Sequence, residues 1–120
     1  MSKTILIVDD SIVVRQLVTI TLKKEGYTVI EAVNGKDGLA KASKSPIDMV
    51  ISDLNMPEMN GIEFIRELRS LDAFRLTPII MLTTVSEEGK KQEGAEAGVN
   101  GWLFKPFNAT QLLTTIRKFI

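Results

Sequence analysis

Acids, a hydroxyl and a lysine stand at the ends of short apolar runs: Asp9-Asp10 after Val8, Asp53 after Ser52, Thr83 after Leu82 and Lys105 after Phe104. If those ends meet, the carboxylates share one site. Packed together they repel one another, and some take up protons unless a cation compensates. Hard oxygen ligands of this kind suit Mg2+, which keeps several waters and uses few carboxylates together with a phosphate. The composition removes competing chemistries. Without cysteine there is no disulfide, thiolate nucleophile or thiolate metal site. Without histidine, imidazole base catalysis, His-ligated zinc and a phosphohistidine carried by this chain are excluded. Covalent chemistry is left to Asp, Glu, Ser, Thr, Lys or Tyr.

Bringing such distant positions together needs a regular scaffold, and the hydropathy pattern predicts one. Thr4–Val8 (TILIV) reads as a buried strand. Val14, Leu17, Val18, Thr21 and Leu22 then recur at helical spacing, with Gly26 as a stop. Thr28–Ala32 is a second strand, followed by a small-residue helix from about Lys36 to Lys44. Met49–Ser52 is a third strand ending at Asp53, and Phe64, Ile65, Leu68 and Leu71 mark a helix after Gly61. Pro78–Leu82, a polar helix from Ser86, the strand Gly101–Phe104 and a helix with Leu112, Leu113, Ile116, Phe119 and Ile120 on one face complete the chain. Repeated strand-then-helix units with short connections imply a doubly wound α/β fold, a parallel sheet covered by helices on both faces. Sites in such sheets form beyond the C-terminal strand ends, where the strand order reverses.

Length and charge set the outer bounds. The 120 residues fit a single domain, 1–120, with no linker or low-complexity tract. The 15 basic and 15 acidic residues cancel, so neither nucleic acid nor an anionic membrane is an expected partner. No apolar run approaches a membrane span and no signal-peptide pattern opens the chain, so the expected location is cytoplasmic.

The segments VDDS (Val8–Ser11), SDLNMPEMNG (Ser52–Gly61), LTT (Leu82–Thr84) and GWLFKPF (Gly101–Phe107) resemble the receiver domains of two-component response regulators, in the right order and along the whole chain. Within that family the likeness is greatest to stand-alone chemotaxis regulators of the CheY type. The resemblance implies a flavodoxin-like (βα)5 fold of five parallel strands in the order 2-1-3-4-5, with no output domain. It makes Asp53 the phosphoacceptor and assigns Mg2+ to Asp9, Asp10, Asp53 and the backbone carbonyl of Asn55. Lys105 and, after modification, Thr83 would contact the phosphoryl oxygens. Charge arithmetic agrees, because a carboxylate attacks phosphorus only when metal and ammonium offset the charge on both reactants. The Lys105-Pro106 bond would be cis, although X–Pro bonds are ordinarily trans.

The same resemblance names partners and tuning positions. A sensor histidine kinase, CheA-like, donates the phosphoryl group, a downstream protein such as the flagellar motor switch reads it, and a phosphatase fits the same scheme. Trp102 stands where the family carries an aromatic that changes rotamer on phosphorylation, commonly Tyr in chemotaxis regulators. The bulkier indole and the neighbouring Thr84 narrow the room for inward rotation. Asn55 and Val85 occupy the positions that flank the hydrolytic water and so tune autodephosphorylation; Asn55 can orient a water, whereas Val85 has neither donor nor acceptor.

The stretch SEEGKKQEGAEA (Ser86–Ala97) adds a family-independent point: it has no large apolar side chain. Gly89 and Gly94 each cost about 1 kcal/mol relative to Ala in a helix interior. Such a helix is weakly held and movable. Phosphoryl charge drawing Thr83 inward would bias it, the strand around Trp102 and the last helix, making those three elements a switched surface.

Taken singly, these residues have plainer readings. Asp10 or Ser11 suits a helix N-cap, Asp53 a turn, Thr83 any strand and Lys105 a solvated surface. Convergence of strand ends is what favours a site. A Mg2+-dependent phosphohydrolase of the haloacid dehalogenase type also uses an Asp nucleophile with Thr, Lys and acidic ligands. Such enzymes carry an acid/base Asp two residues after the nucleophile, where this chain has Asn55, and no cap insertion is present. A binding module on an unphosphorylated receiver fold conflicts with the intact acidic set. The expected protein is therefore a slow, self-limiting phosphoryl acceptor, not a turnover enzyme.

Overall fold

The TILIV run of Thr4–Val8 becomes β1, an inner strand with neighbours on both sides. In this computed structural model, which describes residues 3–84 and 89–120, the chain continues through α1 (Ile12–Lys24), β2 (Thr28–Ala32), α2 (Gly35–Ala42), β3 (Met49–Asp53) and α3 (Gly61–Arg69). A short 3-10 turn over Asp72–Phe74 leads to β4 (Ile79–Thr83), α4 (Lys91–Ala97), β5 (Gly101–Phe104) and α5 (Ala109–Arg117). The strands form one parallel sheet in the order β2-β1-β3-β4-β5, as the resemblance implies. Val8 lies beside Ser52, Asp53 beside Leu82, and Thr83 beside Phe104, so the polar ends share one edge.

Alternation along the strands builds a core on each face. Leu6, Val8, Val50, Ile79 and Met81 pack with Phe64, Ile65 and Leu68 of α3 and with Ala97 of α4. Ile5, Ile7, Met49, Ile51, Ile80 and Leu82 pack with Val18 and Leu22 of α1 and Leu112 and Ile116 of α5. Strands buried on both faces carry mostly apolar residues ahead of their polar C-terminal ends, which is why β1, β3 and β4 read so clearly.

Local chemistry starts the helices. Ser11 caps α1 by accepting from the Val14 N–H at 3.3 Å. Asn34 caps α2, while Asn60 with Glu63 and Asn108 with Gln111 form capping boxes for α3 and α5. Gly98, in the left-handed region with φ 112°, ends α4.

Several expected positions shift. β3 runs through Asp53 because the Leu54 N–H still donates to the Leu82 carbonyl at 3.0 Å, extending the ladder. β4 starts at Ile79, and Pro78, lacking an N–H, contributes only its carbonyl, to Val50 N at 3.0 Å. α2 begins and ends slightly earlier than the small-residue pattern suggests, on its Asn34 cap. Leu71 lies beyond the end of α3 and is 40% exposed. Leu17 is 42% exposed because the buried side of α1 centres on Val18, Thr21 and Leu22. The expected start of the fourth helix at Ser86 lies outside the described residues. Among the described residues no helix is long and apolar enough to cross a membrane.

Candidate functional site

Sheet order turns the strand ends into one cluster. Asp9 follows β1, Asp53 closes the adjacent β3, Thr83 closes β4 and Lys105 follows β5. Carboxylate oxygens of Asp9, Asp10 and Asp53 lie within 4.8 Å of one another. Asp9 and Asp53 are buried, whereas Asp10 faces outward at the rim. The Lys105 ammonium donates to Asp53 Oδ1 at 3.0 Å and to Asp9 Oδ2 at 3.2 Å. The other Asp9 oxygen accepts from the Ser11 N–H at 2.8 Å. The Lys105-Pro106 bond is cis.

Electrostatics shows how the charges of this cluster balance. Burial, reinforced by the Asp9 charge, raises the Asp53 carboxyl from 3.8 to about 6, even though Lys105 and the Asn55 N–H oppose the shift. Burial also disfavours the Lys105 ammonium, but its hydrogen bond and attraction to Asp53, with Asp9 behind them, outweigh that and hold its pKa above the ordinary value. One ammonium therefore does not balance the acids. Converging hard oxygen donors with an excess of negative charge fit a small divalent cation.

The remaining expected residues fall on both sides of this centre. Thr83 is fully buried, and Asn55 is exposed in the loop after β3. Thr84 lines an apolar groove with Val14, Leu17, Lys105, Pro106 and Phe107, on the α1 face. Trp102 is partly buried against the core that carries α3 and α4. Val85 lies outside the described residues.

Gly94 carries more than a helix penalty. A Cβ placed there would lie 2.6 Å from two indole carbons of Trp102, so the missing side chain is what lets the ring rest on α4. Gly94→Ala should therefore push the half-buried indole outward rather than displace the helix backbone. Because Trp102 is the only tryptophan, its emission reports this directly. We expect a red shift and stronger iodide quenching in the variant; an unchanged spectrum would mean that the ring does not depend on the Gly94 surface.

Arg15 escaped the sequence reading. It lies on α1, its side chain only 12% exposed, donating from Nη1 to the Asp9 carbonyl at 2.6 Å and pairing through Nε with Glu31 of β2 at 3.3 Å. The available signal was a basic residue six positions after Asp9, directly after the apolar run Ile12–Val14.

Comparison with known proteins follows the same lines. A family model described as the response regulator receiver domain matches residues 5–117. The chain is similar to the chemotaxis response regulator CheY4 of Vibrio cholerae, with 47% identity, a TM-score of 0.96 and 100% of both chains covered. It is also similar to the receiver domain of sensor histidine kinase PA1611 from Pseudomonas aeruginosa PAO1, whose structure has a magnesium ion coordinated in the active site cleft. There the identity is 28% and the TM-score 0.90, over 99% of this chain and 98% of that one. The transcriptional regulatory protein ResD of Bacillus subtilis (strain 168) is 37% identical over 116 residues, which are 97% of this chain and 47% of ResD. The chain spans about half the length of the curated relatives it matches.

Proposed function

This chain belongs to the response regulator receiver domain family, and from that membership we propose that Asp53 accepts a phosphoryl group from a sensor histidine kinase in a Mg2+-dependent reaction. The observation that carries the proposal is the buried Asp53 carboxylate, held by Lys105 at 3.0 Å and ringed by Asp9 and Asp10. An Asp53 carboxylate oxygen attacks phosphorus, the P–N bond of the donor phosphohistidine breaks, and the released imidazole nitrogen takes a proton from solvent. The product is an acyl phosphate on Asp53. Mg2+, held by Asp9, Asp10, Asp53 and the Asn55 carbonyl, would neutralise charge on the acceptor and the phosphoryl oxygens. Lys105 exchanges its Asp53 hydrogen bond for one to a phosphoryl oxygen, with Asp9 keeping the ammonium in place. The Thr83 hydroxyl donates to a second phosphoryl oxygen from the end of β4, and Asn55 orients the water that later hydrolyses the product.

The output follows from where these groups lie. Thr83 ends β4, next to β5, so its movement biases the surface of α4, β5 and α5, including Trp102. Similarity to CheY4 across the whole chain favours a chemotaxis role, with a CheA-like donor, a flagellar motor switch as reader and a cytoplasmic setting. The likeness to ResD favours a second reading, in which the same switch serves transcriptional control. In either case the chain acts as a phosphoacceptor switch whose autophosphorylation and autodephosphorylation are slow, not as a turnover enzyme.

Incubation with Mg2+ and acetyl phosphate, followed by mass spectrometry, tests the reading. We expect one acid-labile phosphoryl group on Asp53, none after chelation of Mg2+, and a gain in thermal stability on adding Mg2+ alone. Labelling at another residue, or labelling that survives chelation, would overturn it.

A further inference from the structure

We propose that Arg15 is a positioning residue for the cation site, holding the peptide between Asp9 and Asp10 so that both carboxylates reach the same point. The inference rests on the Mg2+ reading above. The carbonyl to which Arg15 donates, at 2.6 Å, belongs to the very peptide that joins the two acids. That carbonyl lies just past the end of β1, where the ladder stops restraining the chain; the last ladder-like contact is the Asp9 N–H to the Ala32 carbonyl at 3.2 Å. Rotation of this peptide would swing the exposed Asp10 away from Asp9 and Asp53.

Arg15 is itself fixed from two directions. Its stem rises from α1, and its Nε meets the Glu31 carboxylate of β2 at 3.3 Å. The Glu31 backbone is tied in turn, its carbonyl accepting from Lys41 Nζ at 2.6 Å. A guanidinium supplies two directed donors at once, one for the carboxylate and one for the carbonyl. The result is a brace from β2 through α1 to the acid pair.

Charge alone makes the opposite forecast, which gives the proposal a decisive sign. A cation beside an acidic site repels Mg2+, so deleting it should tighten binding. A brace lost from behind metal ligands weakens metal affinity, typically about tenfold or more. Calorimetric titration of the wild-type chain, Arg15→Ala and Arg15→Lys with MgCl2 separates the two. We expect Arg15→Ala to bind Mg2+ about tenfold more weakly, and Arg15→Lys to fall between, because an ammonium lacks the fork needed to serve both acceptors. Labelling by acetyl phosphate should need correspondingly more Mg2+ for half-maximal rate, while the rate at saturating Mg2+ stays near wild type. Purely structural damage would lower the melting temperature without this selective shift. Equal or tighter Mg2+ binding by Arg15→Ala overturns the proposal. Should that variant fail to fold, Arg15→Lys decides, and wild-type affinity in it overturns the proposal. A wild-type chain that binds no Mg2+ overturns the metal reading, and the inference with it.

Discussion

Asp53→Asn should abolish labelling by a small phosphodonor and, in the absence of Mg2+, make the protein more stable at neutral pH. The first effect is chemical: an amide has no anionic oxygen with which to attack phosphorus. The second follows from linkage. The folded-state pKa of Asp53 is raised from 3.8 to about 6, with burial as the largest cause and the Asp9 charge next. An acid shifted upward contributes stability that is fully present below its unfolded pKa and lost as pH rises through the folded value. Between about pH 4 and pH 7 the shift corresponds to roughly 3 kcal/mol, at about 1.4 kcal/mol per unit. Asn never ionises, so the variant escapes that loss, less whatever Lys105 forfeits when only Asp9 remains as its anionic partner. Urea unfolding of both proteins with chelator should show a gain at pH 7.5 that shrinks towards zero at pH 4. Saturating Mg2+ should erase the gain by stabilising the wild type. Retained labelling at position 53, or a gain independent of pH, would refute the assignment of a strained, buried nucleophile.

The scaffold that creates this strain was legible to different depths. TILIV, MVI and IIML are apolar runs that point to both faces of the sheet, a pattern that helices cover in a parallel sheet, so the runs and the polar residues at their ends could be read directly, to within a residue at each end. Strand order could not, because alternating units are compatible with more than one winding; it came with the receiver motifs and the structure bears it out. Helix faces were read less well. Leu17 satisfies helical spacing yet lies at the edge of the groove with Val14 and Phe107, since the rotation of α1 is set by which stripe β1 accepts. Arg15 stayed hidden for the same reason. Its role depends on that rotation and on a carboxylate in β2, neither of which local pattern contains. Gly94 was legible as a weak point in a helix, but its indole neighbour becomes visible only once β5 is packed against α4.

Gly61→Ala should have the largest effect on the fold of any single methyl added near the site. Gly61 opens α3, where its N–H donates to the Leu54 carbonyl at 2.8 Å and pins the helix start to the end of β3. A Cβ at this position would lie 2.3 Å from the Asp53 carbonyl oxygen, 2.9 Å from Leu54 Cα and 2.9 Å from Met81 Sδ. The Met81 thioether can swing aside, but the other two atoms are backbone of the segment that carries Asp53, the proposed phosphoacceptor. The Asp53 carbonyl is also tied down, accepting from the Ser52 hydroxyl at 3.0 Å. Relief therefore requires α3 to move off the strand or Asp53 to move with it. We expect about 3 kcal/mol of destabilisation, in the range of strained or overpacked core substitutions. That should appear as a melting temperature lower by about 10 °C for a chain of this size. Labelling of Asp53 should slow as well, even at temperatures where the variant is fully folded, because in-line attack tolerates little displacement of the nucleophile. Gly89→Ala is the matched control: Gly89 lies ahead of α4, not in a helix interior, and among the described residues a Cβ there meets nothing within 4 Å, so its melting temperature and labelling should stay near wild type. If Gly61→Ala melts with the control and labels at the wild-type rate, the close approach of α3 to the Asp53 backbone is not what fixes the acceptor.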